Sequence, residues 1–222
     1  SPFSHDDEII RPGYHRLLLG RYGIEAELTA TTRVGFHRYR YPEGSPRQVL
    51  MPLSGILGPT EIGDAEIRQV GPRELEGCLV NAETRRRPRA TPLCFVVRFN
   101  ADLLDLEVEK ERSGEIMGAM AELAAADDVL LMKVGISYVD TDGARRNLQS
   151  ELPNWEFDRT AAAAKEEWNE WLGRIQVDGG THEQRVRFYT DLFHALQGRR
   201  IISDVDGRYS DQTSVQRVIR QL

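Results

Sequence analysis

The sequence predicts a mainly β chain that ends in helices, with the β part an antiparallel sandwich. Three observations predict it. Ile24, Ala26, Leu28 and Ala30 alternate with Glu25, Glu27, Thr29 and Thr31, a period of two with one apolar and one polar face. Short strand-like runs punctuated by glycine and proline recur as far as Asp140. Beyond Asp140 the apolar spacing changes to three and four, the period of a helix.

Residues 14–19 and 24–30 read as two strands joined by a hairpin turn over residues 20–23. A third strand, residues 34–41, stops at Pro42. Residues 48–53, 74–80, 93–99 and 129–139 continue the pattern, and in the last of these Leu130, Met132, Val134, Ile136 and Tyr138 share one face. Residues 114–126 fit either a helix lined by Met117, Met120, Ala121 and Leu123 or a further strand. Residues 143–152 read as a short helix stopped by Pro153. Phe157, Ala161, Ala164, Trp168 and Trp171 then form a helical stripe, with Asp158 as N-cap or first-turn acid. Thr181 and Gln184 fit a capping box that opens a last helix, whose apolar face carries Val186, Tyr189, Phe193 and Leu196 and whose C′ residue is Gly198. Little sequence remains to cover that face. With no initiator Met at position 1, the chain reads as an excised piece of a longer protein.

The 222 residues carry 29 Lys+Arg against 35 Asp+Glu, a net charge of −6. An acidic chain argues against a nucleic-acid binder, which needs a basic face to neutralise phosphates. Arg85-Arg86-Arg87 with Arg89 reads as a solvated loop. No apolar run reaches the ~20 residues needed for a membrane span. Cys78 and Cys94 fit one disulfide in an exported protein, and equally two buried thiols on neighbouring strands.

The usual catalytic signatures are missing. No two of His5, His15, His37, His182 and His194 stand at i, i+4 beside a glutamate, and neither G-x-S-x-G nor a P-loop occurs. His15 and His37 read as cross-strand partners, His182 as solvated and His194 as a core histidine. The Asp6-Asp7-Glu8 run reads as a solvated strand or loop end. Asp204-Val205-Asp206-Gly207 resembles part of a calcium loop, yet Ile202 and Thr213 stand where an EF-hand needs acids, so the segment reads as a turn capped by Asp204. Of the tryptophans, Trp168 and Trp171 belong to the helical stripe, which leaves Trp155 as the one free to be exposed for sugar stacking.

Several segments together resemble glycoside hydrolase family 92, mostly exo-acting α-mannosidases. They are Phe3-Ser4-His5-Asp6-Asp7-Glu8, Pro12-Gly13-Tyr14, and residues 23–39 from Gly23-Ile24-Glu25 to His37-Arg38-Tyr39. Val134-Gly135-Ile136-Ser137-Tyr138-Val139, with Ala144 and Asn147-Leu148, resembles the end of that family's N-terminal domain. Trp155-Glu156-Phe157-Asp158 resembles its linker. Phe188-Tyr189-Thr190, Leu192-Phe193-His194 and Ser203-Asp204-Val205-Asp206-Gly207-Arg208-Tyr209 resemble the opening of its helical domain.

The resemblance implies a β-sandwich of the large glycosidase type (residues 1–141), a helical linker (142–178) and the start of an (α/α)6 barrel (179–222). It implies a calcium-dependent, inverting, exo-acting α-mannosidase that removes terminal mannose from glycans. Its catalytic acid and base and its Ca2+ ligands would lie beyond this chain, which alone would be inactive. Asp204, Asp206, Arg208 and Tyr209 are the candidates to stand near the sugar pocket. The implied partner is a mannose-containing glycan, the implied location periplasmic or secreted, and the uncovered helical face would allow a homodimer. Two rivals remain: a non-catalytic carbohydrate-binding or scaffold module, and another glycosidase or phosphorylase with the same sandwich-plus-barrel plan.

Overall fold

The computed structural model describes residues 1–57, 60–85, 88–124, 128–197, 201–210 and 216–218. Nine strands form one antiparallel sheet: β1 (Ile9–Arg11), β2 (Tyr14–Leu19), β3 (Ile24–Ala30), β4 (Val34–Arg40), β6 (Ile56–Leu57), β7 (Thr60–Gly71), β8 (Glu74–Asn81), β9 (Thr91–Phe99) and β12 (Val129–Ser137). Their order across the sheet is β1-β2-β3-β4-β12-β9-β8-β7-β6. A smaller antiparallel sheet holds β5 (Arg47–Pro52), β10 (Leu103–Lys110) and β11 (Ile116–Leu123), with β11 in the middle. The helices are α1 (Thr141–Glu151), α2 (Phe157–Leu172) and α3 (His182–Gln197), followed by a ribbon of β13 (Arg208–Ser210) and β14 (Gln216–Val218).

The period of two in the strands divides the large sheet's side chains between two cores. Phe95, Val97, Phe99, Leu130 and Met132 face the small sheet and meet Val49, Ala119, Ala121 and Leu123 in the sandwich core. Val34, Phe36 and Val96 point the other way and bury Ala144, Leu148, Leu152 and Phe157 of the helices. The result is three layers: small sheet, large sheet, helices. Residues 114–126, open between two readings, hold β11: Ala119, Ala121 and Leu123 are buried at alternate positions. Residues 125–127 lie outside the described residues.

The sequence reading missed the long strands β7 and β10, which both have register shifts, and the two- and three-residue strands β6, β13 and β14. In β10 the shift falls between Leu103 and Asp105, so Leu103, Leu106 and Val108 reach the core out of strict alternation. In β7 a shift falls between Ile62 and Ala65. The first strand begins at Ile9, after a turn that holds Asp6 and Asp7 in solvent.

Helix α1 lies close to the sheet because two glycines permit it. A Cβ on Gly135 would come within 2.6 Å of the Ala144 carbonyl oxygen and 2.8 Å of Leu148 Cβ. A Cβ on Gly143 would collide with Asp204 Oδ2. Ion pairs then fix the helix in place. Arg145 reaches β8, with Nη2 donating to Glu74 Oε1 and Glu76 Oε2, both at 2.7 Å. Glu151 accepts from Arg33 Nη1 at 2.6 Å and from Thr31 Oγ1 at 2.6 Å. Burial pushes Glu74 up, but its bonds to Arg98 and Arg145 outweigh that and hold it below the usual carboxylate range.

The C-terminal end of α1 is closed by Lys133, which reaches across from β12. Its side chain is 2% exposed, and Nζ donates to the Leu152 carbonyl at 3.0 Å. Among the described residues no carboxylate pairs with it. The ammonium rests instead 3.9 Å from the centroid of the Trp155 ring, where the helix's negative end also favours it. Burial, aided by the charge of Arg98, lowers its pKa to about 8.

A depressed lysine pKa makes folding bind its proton less well than the unfolded chain does. The cost is fully present below about pH 8 and is relieved between there and the ordinary value of 10.5, so this group's contribution to stability rises with pH across that window. Lys133→Met should lack the rise. Urea unfolding of both proteins across the window should show wild type gaining on the variant by up to about 3 kcal/mol. A constant difference would mean that Lys133 titrates as in water.

Candidate functional site

The segment after α3 forms a tight turn locked into the junction of β12 and α1. The Asp204 N–H donates to the Arg208 carbonyl at 2.7 Å, and the Gly207 N–H donates to the Asp204 carbonyl at 2.9 Å. Gly207 has φ +82°, a left-handed conformation that glycine adopts without strain. Asp204 is 3% exposed; Ser137 Oγ donates to its Oδ2 at 2.9 Å and Asn147 Nδ2 to its Oδ1 at 2.8 Å. Asn147, fully buried, also donates to the Ile136 carbonyl at 2.8 Å and accepts from the Val205 N–H at 2.9 Å. One amide thus ties the large sheet, α1 and the turn together.

The outer half of the turn is ionic. Arg208 Nη1 donates to Asp140 Oδ2 at 2.9 Å and Nε to Asp206 Oδ2 at 3.0 Å. Arg146 approaches the same Asp206 oxygen at 3.1 Å. Asp140 also caps α1, accepting from the Gly143 N–H at 2.6 Å. Tyr209 is half-buried on β13.

Asp204, Asp206, Arg208 and Tyr209 are therefore brought together, in different circumstances. Asp204 is sealed inside: burial raises its pKa, the bonds from Asn147 and Ser137 oppose that, and the nearby Asp206 and Asp140 charges add to it. Its raised value reflects enclosure rather than a proton held ready for a substrate. Arg208 is half-buried and committed to carboxylates on both sides. Asp206 alone among the acids of the turn presents its carboxylate at the surface.

The residues here do not suit calcium. Asp140, Asp204 and Asp206 approach one another, but Arg208, Arg146, Asn147 and Ser137 take their oxygens, and a cation would sit against two guanidinium groups. Among the described residues no three of His, Cys, Asp and Glu gather so as to hold a metal ion.

Other sequence readings meet their geometry here. Cys78 and Cys94, directly opposite on β8 and β9, form a disulfide. It lines a cavity of about 390 Å3 together with Glu66, Arg68, Glu76 and Asp140. His15 Nε2 and His5 Nδ1 both bond Glu8, at 2.8 and 2.6 Å, and these bonds, His5's first, hold the Glu8 carboxyl below its ordinary range. His37 bonds the Tyr39 hydroxyl at 2.8 Å on its own strand, so neither it nor His15, whose partner Glu8 precedes β1, bonds across strands as read, and burial lowers the His37 pKa to about 4. His182 is exposed. So is His194, contrary to the core reading: α3 buries none of its residues, so no core surrounds it. The tryptophans are also corrected. Trp171, at 44%, is the exposed one, whereas Trp155 is half-buried against the helix-side core. Of the two readings for Asp158, the structure takes the second: Glu156 stands at the N-cap of α2, and Asp158 is its first-turn acid, paired with Arg38 at 3.0 Å. The Thr181–Gln184 capping box forms as read. Gly198 and the Arg86-Arg87 part of the arginine run lie outside the described residues.

Sequence reasoning missed Asn147, Ser137 and Asp140. The available signal was a polar residue on an apolar stripe, since Asn147 stands between Ala144 and Leu148.

An antiparallel sandwich that hands over to helices locked onto its outer face is the front of a class of glycoside hydrolases. Solved structures of that class superpose on the whole chain. The glycosyl hydrolase ccman5 does so with a TM-score of 0.86 at 25% identity, over 98% of this chain and 32% of its own. The α-mannosidase BT3965 of Bacteroides thetaiotaomicron gives 0.87 at 24%, over 99% of this chain and 31% of its own, and shows the same fold. In sequence, residues 1–137 match the glycosyl hydrolase family 92 N-terminal domain and residues 143–220 the family 92 catalytic domain, so the chain belongs to glycosyl hydrolase family 92. A curated relative from Arthroderma benhamiae, described as an uncharacterized secreted glycosidase, is 36% identical over 50 residues, 22% of this chain and 6% of its own. The chain spans about a third of the solved relatives' length.

Replacing Asn147 by Ala would leave Asp204 Oδ1, the Ile136 carbonyl and the Val205 N–H without their Asn147 partner. The expected loss is about 3 kcal/mol, read as a lower denaturation midpoint at unchanged slope. A loss below about 0.5 kcal/mol, the scale of a surface substitution, would show that the turn is held by other means.

Proposed function

We propose that this chain is the N-terminal part of an exo-acting, calcium-dependent, inverting α-mannosidase that removes terminal mannose from glycans. The observation that carries the reading is the succession of two family 92 matches, residues 1–137 and then 143–220, along one chain. We divide it at 1–141, 142–178 and 179–222 into sandwich, linker and opening of an (α/α)6 barrel, the second match running through both the linker and the barrel opening. Structural relatives described as α-mannosidase BT3965 and inverting mannosidase BT2199 support the substrate class.

Inversion needs a carboxylic acid on one side of the glycosidic bond and a base activating water on the other, roughly 6.5–9.5 Å apart. The turn does not supply the pair, since Asp204 is enclosed and Asp206 faces two guanidinium groups. The acid, the base and the calcium ligands belong to the remainder of the relatives' length, and the chain by itself is inactive. Here the turn supports the pocket: Asp204 and Arg208 hold it, while Asp206 and Tyr209 are the groups able to meet a sugar hydroxyl. The disulfide suits an oxidising compartment, in keeping with a periplasmic or secreted enzyme. No described helix is long and apolar enough to cross a membrane.

The test compares this chain with a longer polypeptide that carries it. The longer one should release mannose from α-1,2-mannobiose, initially as the β anomer by NMR, lose activity in chelator and regain it with calcium. The 222-residue chain should show no turnover. Retention of the α anomer, activity indifferent to chelation, or robust turnover by the short chain would each overturn the part of the proposal it addresses.

A further inference from the structure

Trp155 stands in the short link between α1 and α2 and lines two surface cavities. One, of about 440 Å3, passes Arg38, Glu156, Asp158 and Arg159. The other, of about 360 Å3, passes Arg73, Glu74 and Arg98. Both volumes fall in the range of small-ligand sites. The groove lies at the C-terminal end of α1, whereas the Asp204 turn lies against its first two turns.

The ring is fixed in place. Lys133 Nζ sits 3.9 Å from its centroid, and Phe36 meets it edge-on at 6.1 Å. A held indole is an apolar plate that loses no freedom when a ligand stacks on it. The charges around it are paired: Arg38 with Asp158 at 3.0 Å, Arg159 with Glu156 at 3.0 Å, and Arg98 with Glu74. An anion entering the groove would meet a carboxylate beside each of these guanidiniums. A neutral polyol would meet donors and acceptors side by side, which is what neighbouring hydroxyls require.

We infer that this groove binds a neutral oligosaccharide, with Trp155 as stacking platform and the Arg38–Asp158 and Arg159–Glu156 pairs holding its hydroxyls. The choice of a sugar as ligand rests on the glycosidase reading. Stacking needs the indole and the hydroxyl contacts need both ion pairs, so the two kinds of interaction are removed by different substitutions.

The 222-residue chain is titrated with α-1,2-mannobiose while tryptophan fluorescence and the Trp155 indole N–H resonance are followed. A saturable shift is expected. Trp155→Leu should abolish it. Because that change also uncovers Lys133, the decisive variant is Arg159→Ala with Glu156→Ala, whose side chains are 78% and 52% exposed. It should keep the wild-type circular dichroism and weaken binding at least about fivefold, the value of one lost hydrogen bond. Arg112→Ala, in the β10–β11 hairpin, should bind as wild type. Unchanged affinity in the double variant, or a shift with inorganic phosphate in place of sugar, overturns the inference. Binding of cellobiose or maltose but not mannobiose keeps the groove and counts against the mannose reading. No binding of any of the three, with the longer polypeptide still cleaving mannobiose, overturns the groove alone.

Discussion

The contact between Asn147 and Asp204 is the constraint on which the rest of the arrangement depends. A buried carboxylate and a buried amide each carry a large desolvation cost unless every lone pair and proton is met. Here the amide meets three partners from three elements: the Ile136 carbonyl on β12, the Asp204 carboxylate and the Val205 N–H in the turn. That satisfaction is geometric. It requires α1 at close range, which Gly135 and Gly143 allow, and it requires the chain to return after α3 to the same spot.

Around that node the helix-side face of the large sheet is built more from ion pairs than the sandwich core is. Glu27 takes Arg38 and the Tyr14 hydroxyl, and Arg38 goes on to Asp158 at the start of α2. Arg145 joins α1 to Glu74 and Glu76, and Arg33 joins it to the β3–β4 corner. Each such pair contributes modestly by itself. Their effect is positional, because a helix held at both ends by directional bonds has one orientation, whereas an apolar face tolerates sliding.

The fold was legible where the period of two was unbroken. Residues 24–30 and 34–40 reveal their faces directly, and the change of period at Asp140 marks the first helix. Where a bulge resets the phase, as in β7 and β10, local pattern fails, since alternation across the bulge no longer marks one face. Residues 116–123 stayed ambiguous because small and flexible side chains suit either structure until the neighbours are known. The candidate site was legible as a motif, Asp204 to Tyr209, but not as an arrangement. Its partners Ser137, Asp140 and Asn147 are 57 to 68 residues away in sequence from the Asp204 and Arg208 groups they bond, at separations no local rule connects. The family resemblance reached further, because it compares whole segments rather than periodicities.

The bridge between Cys78 and Cys94 spans a separation of 16 in sequence, and the segment between them carries exposed Arg85 and Arg89. Exposed loop arginines are sites where trypsin-like enzymes cut. A cut there would sever the backbone without freeing either side, since β8 and β9 stay joined by sulfur and lie in the interior of the nine-stranded sheet. The molecule would survive as a nicked, two-piece protein, coming apart only under reduction and denaturation together.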